Sequence, residues 1–264
     1  MGHRRRLLPD AWLCITPERE LKTSLLMEAL HKGWPDAAII HGAPPDDGKP
    51  FFVWGQQMLG FDLLKQFYDT DRPFWHIDNG WIWSAKGKAE GYYRFTYRGL
   101  VPHMLVNPLP RPVSVDLAPW RQTGRHVLLC QPGPSFGAAI GLDMGEWNRT
   151  IRRRLYKATK RMIVVREKHA RRPLASDLRN CWAVVTHSSG VAVDAVLAGI
   201  PVFVEPTCPA AAVGSYDLAL IEYPAMPDRT NWLASLLCQQ FTIDEMADGT
   251  AFRHLMQVKE QVDG

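Results

Sequence analysis

The sequence predicts an α/β fold with two domains, and three features of the chain support this prediction. Short apolar runs alternate with helical patterns through residues 11–67. Residues 182–205 have the pattern of a strand, a turn with two serines and a glycine, a helix and a second strand. Five prolines fall within residues 100–120, a composition that disfavours continuous secondary structure and indicates a linker between domains.

The first predicted domain, residues 1–115, alternates between buried strands and helices. We predict strands at 11–15, 37–40, 51–54 and 74–78 and helices at 16–33 and 60–67. The first helix has Thr16 as its N-cap and Pro17 at the first helical position. Asn79-Gly80 predicts a tight turn after the last strand.

The second predicted domain, residues 116–250, repeats this alternation. We predict strands at 126–130, 162–165, 183–185 and 202–204 and helices at 147–161, 173–180, 191–198, 228–237 and 243–258. Gly199 follows directly after the helix at 191–198 and has the residue type that commonly ends helices. The last segment, residues 251–264, continues the helical pattern at the C-terminal end of the sequence.

The composition is that of a globular protein. The chain has 264 residues, of which 46% are hydrophobic and 22% charged, so it is long enough for one large or two small cores. No run approaches ~18 apolar residues without charge, and the basic N-terminus lacks the features of a signal peptide. The five scattered cysteines have no zinc-type spacing and suit a reducing compartment. We therefore expect a cytoplasmic protein with no membrane span, no metal and no cofactor.

The net charge of +4 conceals a strong local asymmetry. Residues 149–172 contain eleven Lys and Arg and one acid, a net charge of +10 that leaves −6 for the rest of the chain. A basic block of this size indicates a polyanionic partner or a phosphate-bearing ligand.

The turn and helix near residue 190 have the chemistry of a phosphate-binding site. The first turn of a helix carries unpaired N–H groups and the positive end of the helix dipole. His187, Ser188, Ser189 and Gly190 form the turn, in which the hydroxyls add donors and the glycine allows close approach. Asp194 lies one helical turn further on, within reach of ribose hydroxyls. The alternative is that Ser188 is only an N-cap and Asp194 only a solvated helix residue.

The run S-S-G-V-A-V-D-A-V-L-A-G-I-P-V at 188–202 resembles the donor-binding motif of GT-B glycosyltransferases, especially the capsular-polysaccharide type and short phage-encoded proteins. The resemblance implies two Rossmann-like domains that face each other across a cleft, with the first domain reduced. It also implies that residues 251–264 form a C-terminal helix that packs back onto the first domain. It also implies a nucleotide-sugar donor, with Asp194 in the ribose-binding position usually held by Glu. Further donor contacts implied by the resemblance are the turn at 188–190, the loop residue Ser135, and the pair Arg166 and Lys168.

A glycosyltransferase also needs a base that deprotonates the acceptor hydroxyl. His76 and Asp78 fall at the end of a predicted strand, where ligands of open α/β sheets bind, so we expect one of them to be this base. The alternative is that Asp78 is simply a turn former. The resemblance places the turn at 188–190 with Arg166 and Lys168 against the diphosphate, where hydroxyl donors and cations offset its charge. We therefore expect catalysis without a metal ion.

The basic helix indicates a class of acceptor. The basic helix at 147–161 suits a nucleic acid, with four side chains as candidate phosphate contacts, Arg152, Arg153, Lys157 and Lys160. One compatible acceptor is a hydroxymethylated pyrimidine in phage DNA, which would have to leave the base stack. The alternative for the basic helix is that it is only a solvated surface. The alternatives to a glycosyltransferase are a non-catalytic GT-B-like module that binds a nucleotide or nucleic acid, and a sugar-nucleotide epimerase.

Overall fold

A computed structural model describes residues 10–55, 70–84, 90–132 and 141–264. The chain divides into two compact units. Unit 1 comprises the residues up to Arg111 together with Ala234–Gly264, and unit 2 comprises Pro112–Leu233. The domain limits predicted from the sequence, at residues 115 and 250, stay a prediction. The helix predicted at 60–67 lies outside the described residues.

The secondary structure of the described residues is mixed α/β. The strands are β1 (Trp12–Ile15), β2 (Ala38–His41), β3 (Phe51–Trp54), β4 (Phe74–Asn79), β5 (Tyr93–Tyr97), β6 (His126–Cys130), β7 (Met162–Arg166), β8 (Cys181–Thr186), β9 (Val202–Phe203) and β10 (Gln240–Phe241). The α-helices are α1 (Glu20–Gly33), α2 (Met144–Ala158), α3 (Leu174–Leu178), α4 (Val191–Leu197), α5 (Thr230–Leu237), α6 (Ile243–Ala247) and α7 (Thr250–Asp263).

Unit 1 is built on a six-stranded sheet with the order β10-β5-β4-β3-β1-β2. β2, β1, β3 and β4 run parallel, whereas β5 pairs antiparallel with β4 and β10 pairs antiparallel with β5. The parallel strands have apolar side chains on both faces, as expected for strands that are covered on both sides. Leu13 packs into the larger core beside α1 and α7, and its neighbour Cys14 packs into a smaller cluster with Phe51 and Val53.

Aromatic side chains dominate the larger core of unit 1. Phe52 stacks on Trp75 with 5.7 Å between ring centroids, and its ring edge meets Phe95. Leu26 from α1 and Leu255 from α7 are buried against this cluster. The C-terminal helix therefore packs with the first hundred residues of the chain, although a hundred residues or more separate them in sequence.

Unit 2 contains a four-stranded parallel sheet with the order β7-β6-β8-β9. Within the sheet, β7 lies on one side of β6 and β8 lies on the other, so the direction of strand addition reverses at β6. The carboxyl ends of β6 and β8 therefore form a topological switch point, the place where open α/β sheets bind ligands. Thr186 Oγ1 donates a hydrogen bond of 2.9 Å to the Cys130 carbonyl and joins the two strand ends there.

Local sequence signals explain where the helices of unit 2 begin and end. α2 begins after Asp143, whose side chain accepts a hydrogen bond from the Glu146 amide, so it starts earlier than the predicted residue 147. α4 ends before Gly199, which has a φ of 71° and lies against the backbone of Pro119. An added Cβ at Gly199 would lie 2.1 Å from the Pro119 carbonyl oxygen, which explains why glycine occupies this position.

One predicted helix is divided in the structure. The segment predicted as a continuous helix at 243–258 forms α6 and α7, separated at Asp248 and Gly249. Gly249 has a left-handed φ of 82°, which ends α6 and lets the chain restart as α7. The prediction of one continuous helix was wrong because the apolar spacing continues across the break.

Candidate functional site

A cavity of about 270 Å³ lies at the carboxyl-terminal edge of the sheet in unit 2. It is lined by the ends of β6 and β7 and by the bend after β8, at the switch point described above. Its lining residues are Cys130, Gln131, Pro132, Arg166, Glu167, Lys168, Ser188, Ser189 and Val191. Four predicted donor-binding residues therefore line one cavity, namely Arg166, Lys168, Ser188 and Ser189.

The bend at residues 187–190 is fixed by the segment that follows β9. Ser188 Oγ and Thr207 Oγ1 share a hydrogen bond of 2.6 Å, and Ser188 Oγ also lies 2.8 Å from His187 Nδ1. The Glu205 amide donates to the His187 carbonyl at 3.1 Å. These bonds hold the Ser188 hydroxyl in place at the cavity wall before any ligand arrives.

The start of α4 differs from the expected arrangement. Gly190, and not Ser188, occupies the N-cap position. Ser189 Oγ accepts from the Val191 amide at 3.3 Å, and the Ser189 and Gly190 carbonyls accept from the next two amides. The expectation of unpaired amides in the first turn was therefore wrong for Val191, Ala192 and Val193. The donors left to face an anion in this cavity are therefore hydroxyls and cations more than the amides of this helix end.

A buried carboxylate holds Arg166 in position. Asp177, in α3, is buried, and its Oδ2 accepts from Arg166 Nη1 at 2.5 Å. Its Oδ1 accepts from Arg172 Nε, and the Arg172 carbonyl accepts from the same Nη1 of Arg166 at 3.0 Å. Within the described residues, Nε and Nη2 of Arg166 donate no hydrogen bond. These two nitrogens form the edge of the guanidinium that binds a phosphate with two parallel bonds.

Three further ionisable residues line the cavity, and their exposure decides whether they carry a charge. Lys168 and Glu167 are both exposed at the end of β7. Burial raises the pKa of the Cys130 thiol to about 12, against a smaller opposing effect of Arg166, so the thiol is neutral. The lining therefore has two cations and one carboxylate, a balance that favours an anionic ligand.

The other predicted donor-binding residues are not part of the cavity lining or lie outside the described residues. Burial lowers the pKa of His187, and the nearby Glu205 carboxylate partly opposes this effect. The His187 ring lies 6.1 Å from the Trp147 ring. Asp194 is exposed on α4 and is not part of the cavity lining. Ser135 lies outside the described residues.

The predicted catalytic residues belong to a separate cluster in unit 1. Asp78 Oδ2 accepts from Arg94 Nη2 at 2.8 Å, and Asp78 Oδ1 accepts from the Asn79 amide at 2.7 Å. Lys22 donates to Asn79 at 3.4 Å and lies 3.8 Å from the centre of the Trp54 ring. Burial alone would raise the pKa of the Asp78 carboxyl, but Arg94, His76, the Asn79 amide and Lys22 together outweigh burial, and the pKa falls below its ordinary value. Asp78 is therefore a carboxylate at neutral pH.

His76 differs from Asp78 in its exposure. The His76 side chain is completely buried, and burial lowers its pKa to about 4. A buried ring has no surface on which an acceptor hydroxyl can lie. More than a quarter of the Asp78 side chain is exposed. Of the two candidates for the base, only Asp78 can contact a substrate directly.

Of the four candidate nucleic-acid contacts, Arg152, Arg153 and Lys157 lie on α2 and Lys160 lies beyond its end at Ala158. Three of them are exposed and Arg152 is half-buried.

Among the residues that the structure describes, no three His, Cys, Asp or Glu side chains are placed to bind a metal ion. No helix in the described ranges is both long and apolar enough to cross a bilayer.

Sequence reasoning missed Asp177, Thr207, Lys22 and Arg94. Asp177 has the pattern of a surface helix residue, and nothing in the sequence shows that it pairs with two arginines. In the sequence, Arg94 stands among the aromatic residues of the run Y-Y-R-F-T-Y at 92–97, and its register opposite Asp78 depends on the pairing of β4 with β5. An alternating pattern in residues 92–97 was the one signal that predicts this strand.

Comparison with solved structures supports a glycosyltransferase-like fold. One similar structure is the beta Kdo 2,4 transferase of KpsC from Thermosulfurimonas dismutans, with a TM-score of 0.54 and 10% identity over 89% of this chain and 92% of that chain. Another is the beta Kdo 2,7 transferase of the same KpsC, with a TM-score of 0.52 and 10% identity over 95% and 99% of the two chains. No family model and no curated protein matches the sequence. At this identity the likeness concerns the fold, and it does not extend to the capsular or phage-encoded types.

Proposed function

We propose that the chain is a metal-independent glycosyltransferase whose nucleotide-sugar donor binds in the cavity of unit 2. The observation that carries the proposal is that Arg166, Lys168, Ser188 and Ser189 line one cavity at the switch point of a parallel sheet. The likeness in fold to two Kdo transferases supports it. A volume of about 270 Å³ suits the phosphates and part of the nucleotide better than a whole nucleotide sugar.

The proposed roles follow from where charge develops during transfer. As the glycosidic bond breaks, negative charge grows on the phosphate of the leaving nucleotide, and fixed donors that face this charge lower the barrier. The unbonded edge of Arg166 would provide two parallel bonds, Lys168 a mobile positive charge, and the fixed Ser188 hydroxyl a further donor. Asp194 is proposed to bind the ribose next to the cavity.

The acceptor is proposed to lose its proton to Asp78. This part of the proposal requires the two units to face each other across a cleft, so that Asp78 reaches the sugar bound in unit 2. The low pKa keeps Asp78 deprotonated at neutral pH, although its pairing with Arg94 weakens it as a base. Asp78→Asn removes the proton acceptor while leaving unit 2 unchanged.

The sugar to be tested first is Kdo, because both similar structures are described as Kdo transferases. A modified base in phage DNA as acceptor gains no support from these similar structures. Cytoplasmic location remains a proposal.

Binding is tested with a panel of nucleotides and nucleotide sugars, including nucleotide-activated Kdo, in a thermal-shift assay followed by calorimetry. A ligand that binds only the folded chain raises its melting temperature. We expect Arg166→Ala to abolish the shift. The matched control, Arg153→Ala, removes an exposed arginine that is not part of the cavity lining and should leave the shift unchanged. Equal loss in both variants would contradict the proposed donor site.

Turnover separates the enzyme from the alternative of a non-catalytic binding module. With the donor found in the panel, we expect wild type to release the nucleotide as it transfers or hydrolyses the sugar. Asp78→Asn should lose turnover and keep the donor affinity of wild type. Donor binding without any product in wild type would favour the binding module. Full turnover in Asp78→Asn would exclude Asp78 as the base.

A further inference from the structure

The C-terminal end of α2 has a basic face without neutralising partners. Arg153 and Lys157 are exposed and four residues apart on α2, which places them on one side of the helix. Lys160 is also exposed and follows two residues after the helix ends at Ala158. None of the three forms an ion pair within the described part of the chain. Ile151 and Leu155, on the opposite side of α2, are buried in the core of unit 2, so the basic side faces solvent.

Exposed apolar and aromatic side chains lie beside this basic face. Glu222 accepts hydrogen bonds from Thr159 and from Arg161, the latter at 3.1 Å, and so joins the end of α2 to the segment at 220–223. Four large side chains in these two segments are at least half exposed or nearly so, Tyr156, Met162, Leu220 and Tyr223. A shallow hollow of about 420 Å³ between the segments is lined by Lys157, Lys160, Arg161 and Glu222. We call residues 153–162 and 220–223 together the α2 patch.

The α2 patch and the cavity lie at opposite edges of the sheet in unit 2. Met162 is the first residue of β7, so the patch lies at the amino-terminal ends of the strands. The cavity lies at their carboxyl-terminal ends. A partner on the patch therefore leaves the cavity free, and the patch has a role apart from donor binding.

The apolar side chains decide which anionic partner fits. Lysine and arginine attract any surface of phosphates, whether nucleic acid or lipid headgroups. Met162 and Leu220 gain nothing from contact with phosphates, but they gain by insertion between headgroups at the edge of the hydrocarbon. Tyrosine, with an apolar ring and a polar tip, is enriched at this depth of a membrane.

We propose that the α2 patch binds the surface of a membrane that contains anionic phospholipid. Lys157 and Lys160 lie against the headgroup phosphates at the hollow, while Leu220 and Tyr223 enter the interface. The attachment is peripheral and electrostatic, and it falls with rising salt because screening shortens the range of the attraction. This proposal does not depend on the identity of the nucleotide or the sugar.

Co-sedimentation of the full chain with vesicles tests the proposal. One set of vesicles is phosphatidylcholine alone, and the other has equal amounts of phosphatidylcholine and phosphatidylglycerol. We expect binding to the second set only. The double variant Lys157→Gln/Lys160→Gln should bind about 30-fold more weakly, from ~1 kcal/mol for each lysine near an anionic surface. The matched control, Lys32→Gln/Arg253→Gln, removes two exposed cations of unit 1 and should bind like wild type.

Further arms of the experiment separate lipid from nucleic acid. Leu220→Ser/Tyr223→Ser should weaken vesicle binding while the charge of the patch stays intact. Duplex DNA at the same ionic strength should compete poorly with the vesicles. The proposal is overturned if wild type does not bind anionic vesicles, or if Lys157→Gln/Lys160→Gln and Lys32→Gln/Arg253→Gln weaken vesicle binding equally. It is also overturned if Leu220→Ser/Tyr223→Ser binds vesicles like wild type, or if DNA displaces the vesicles.

Discussion

Asp177→Asn tests whether a buried carboxylate fixes the cavity arginine. The Asp177 side chain is 4% exposed and bonds two guanidinium groups, those of Arg166 and Arg172. Loss of one member of a buried ion pair typically costs ~3–5 kcal/mol, because the remaining charge is left without a partner. Arg172 is half exposed and can turn to solvent, so we place the loss at the lower end, about 3 kcal/mol.

The loss is measured as a melting temperature by circular dichroism. For a unit of this size, 3 kcal/mol corresponds to a drop of roughly 10 °C. The matched control is Asp116→Asn, which neutralises an exposed carboxylate of the same unit and should melt like wild type. If Asp177→Asn also melts like wild type, the ion pairs do not stabilise unit 2 and the reasoning is refuted.

The same variant distinguishes positioning from charge when pyrophosphate binding is measured below the melting transition. If Asp177 positions Arg166, the freed guanidinium loses its fixed direction and pyrophosphate binds more weakly. If Asp177 acts only through its charge, its loss makes the cavity more positive and pyrophosphate binds more tightly. We expect weaker binding. Tighter binding would show that the pairing serves stability alone.

Three further predictions follow from single contacts. Arg166→Lys loses the two-nitrogen edge and should raise the calorimetric Kd for the nucleotide about tenfold, whereas Arg172→Lys should change it little. Gly199→Ala places a Cβ against the Pro119 carbonyl at a φ of 71° and should lower the free energy of unfolding by more than ~2 kcal/mol in a guanidinium titration; an unchanged midpoint would contradict this contact. Burial lowers the pKa of His76 from 6.5 to about 4, so the unfolded chain binds more protons than the folded chain between these pH values. The free energy of unfolding therefore falls as the pH drops through this range. His76→Leu should make the free energy of unfolding, measured in urea, less dependent on pH there.

The strands of the parallel sheets could be predicted because burial on both faces requires continuous apolar runs. Such runs mark β1, β3 and β8 without any knowledge of their neighbours. β10 has two residues, too few for any periodicity, and it forms only because β5 offers an edge to it. The packing of α7 onto unit 1 likewise depends on contacts between distant parts of the chain, which no local pattern encodes.

The candidate site was predictable where it is local in sequence. Ser188 and Ser189 could be found because a strand, a turn and a helix follow one another within a few residues, and the fold places that turn at the sheet edge. Arg166 and Lys168 follow the neighbouring strand and reach the same edge for the same reason. Asp177 could not be found, because its pairing with Arg166 and Arg172 depends on burial, and the burial of a short helix is decided by its neighbours.

The comparison of His76 and Asp78 shows how tertiary structure selects between equivalent candidates. Both lie on β4 two residues apart, so the alternation of the strand places them on one face. Their depth is decided by β5, which pairs Thr96 opposite His76 and Arg94 opposite Asp78. The small Thr96 lies in the closed interior with His76, whereas Arg94 reaches the surface and ends as the ion-pair partner of Asp78. Arg94 thus both stabilises the Asp78 carboxylate and limits its basicity, so any proton transfer through Asp78 depends on how far a substrate weakens that pair.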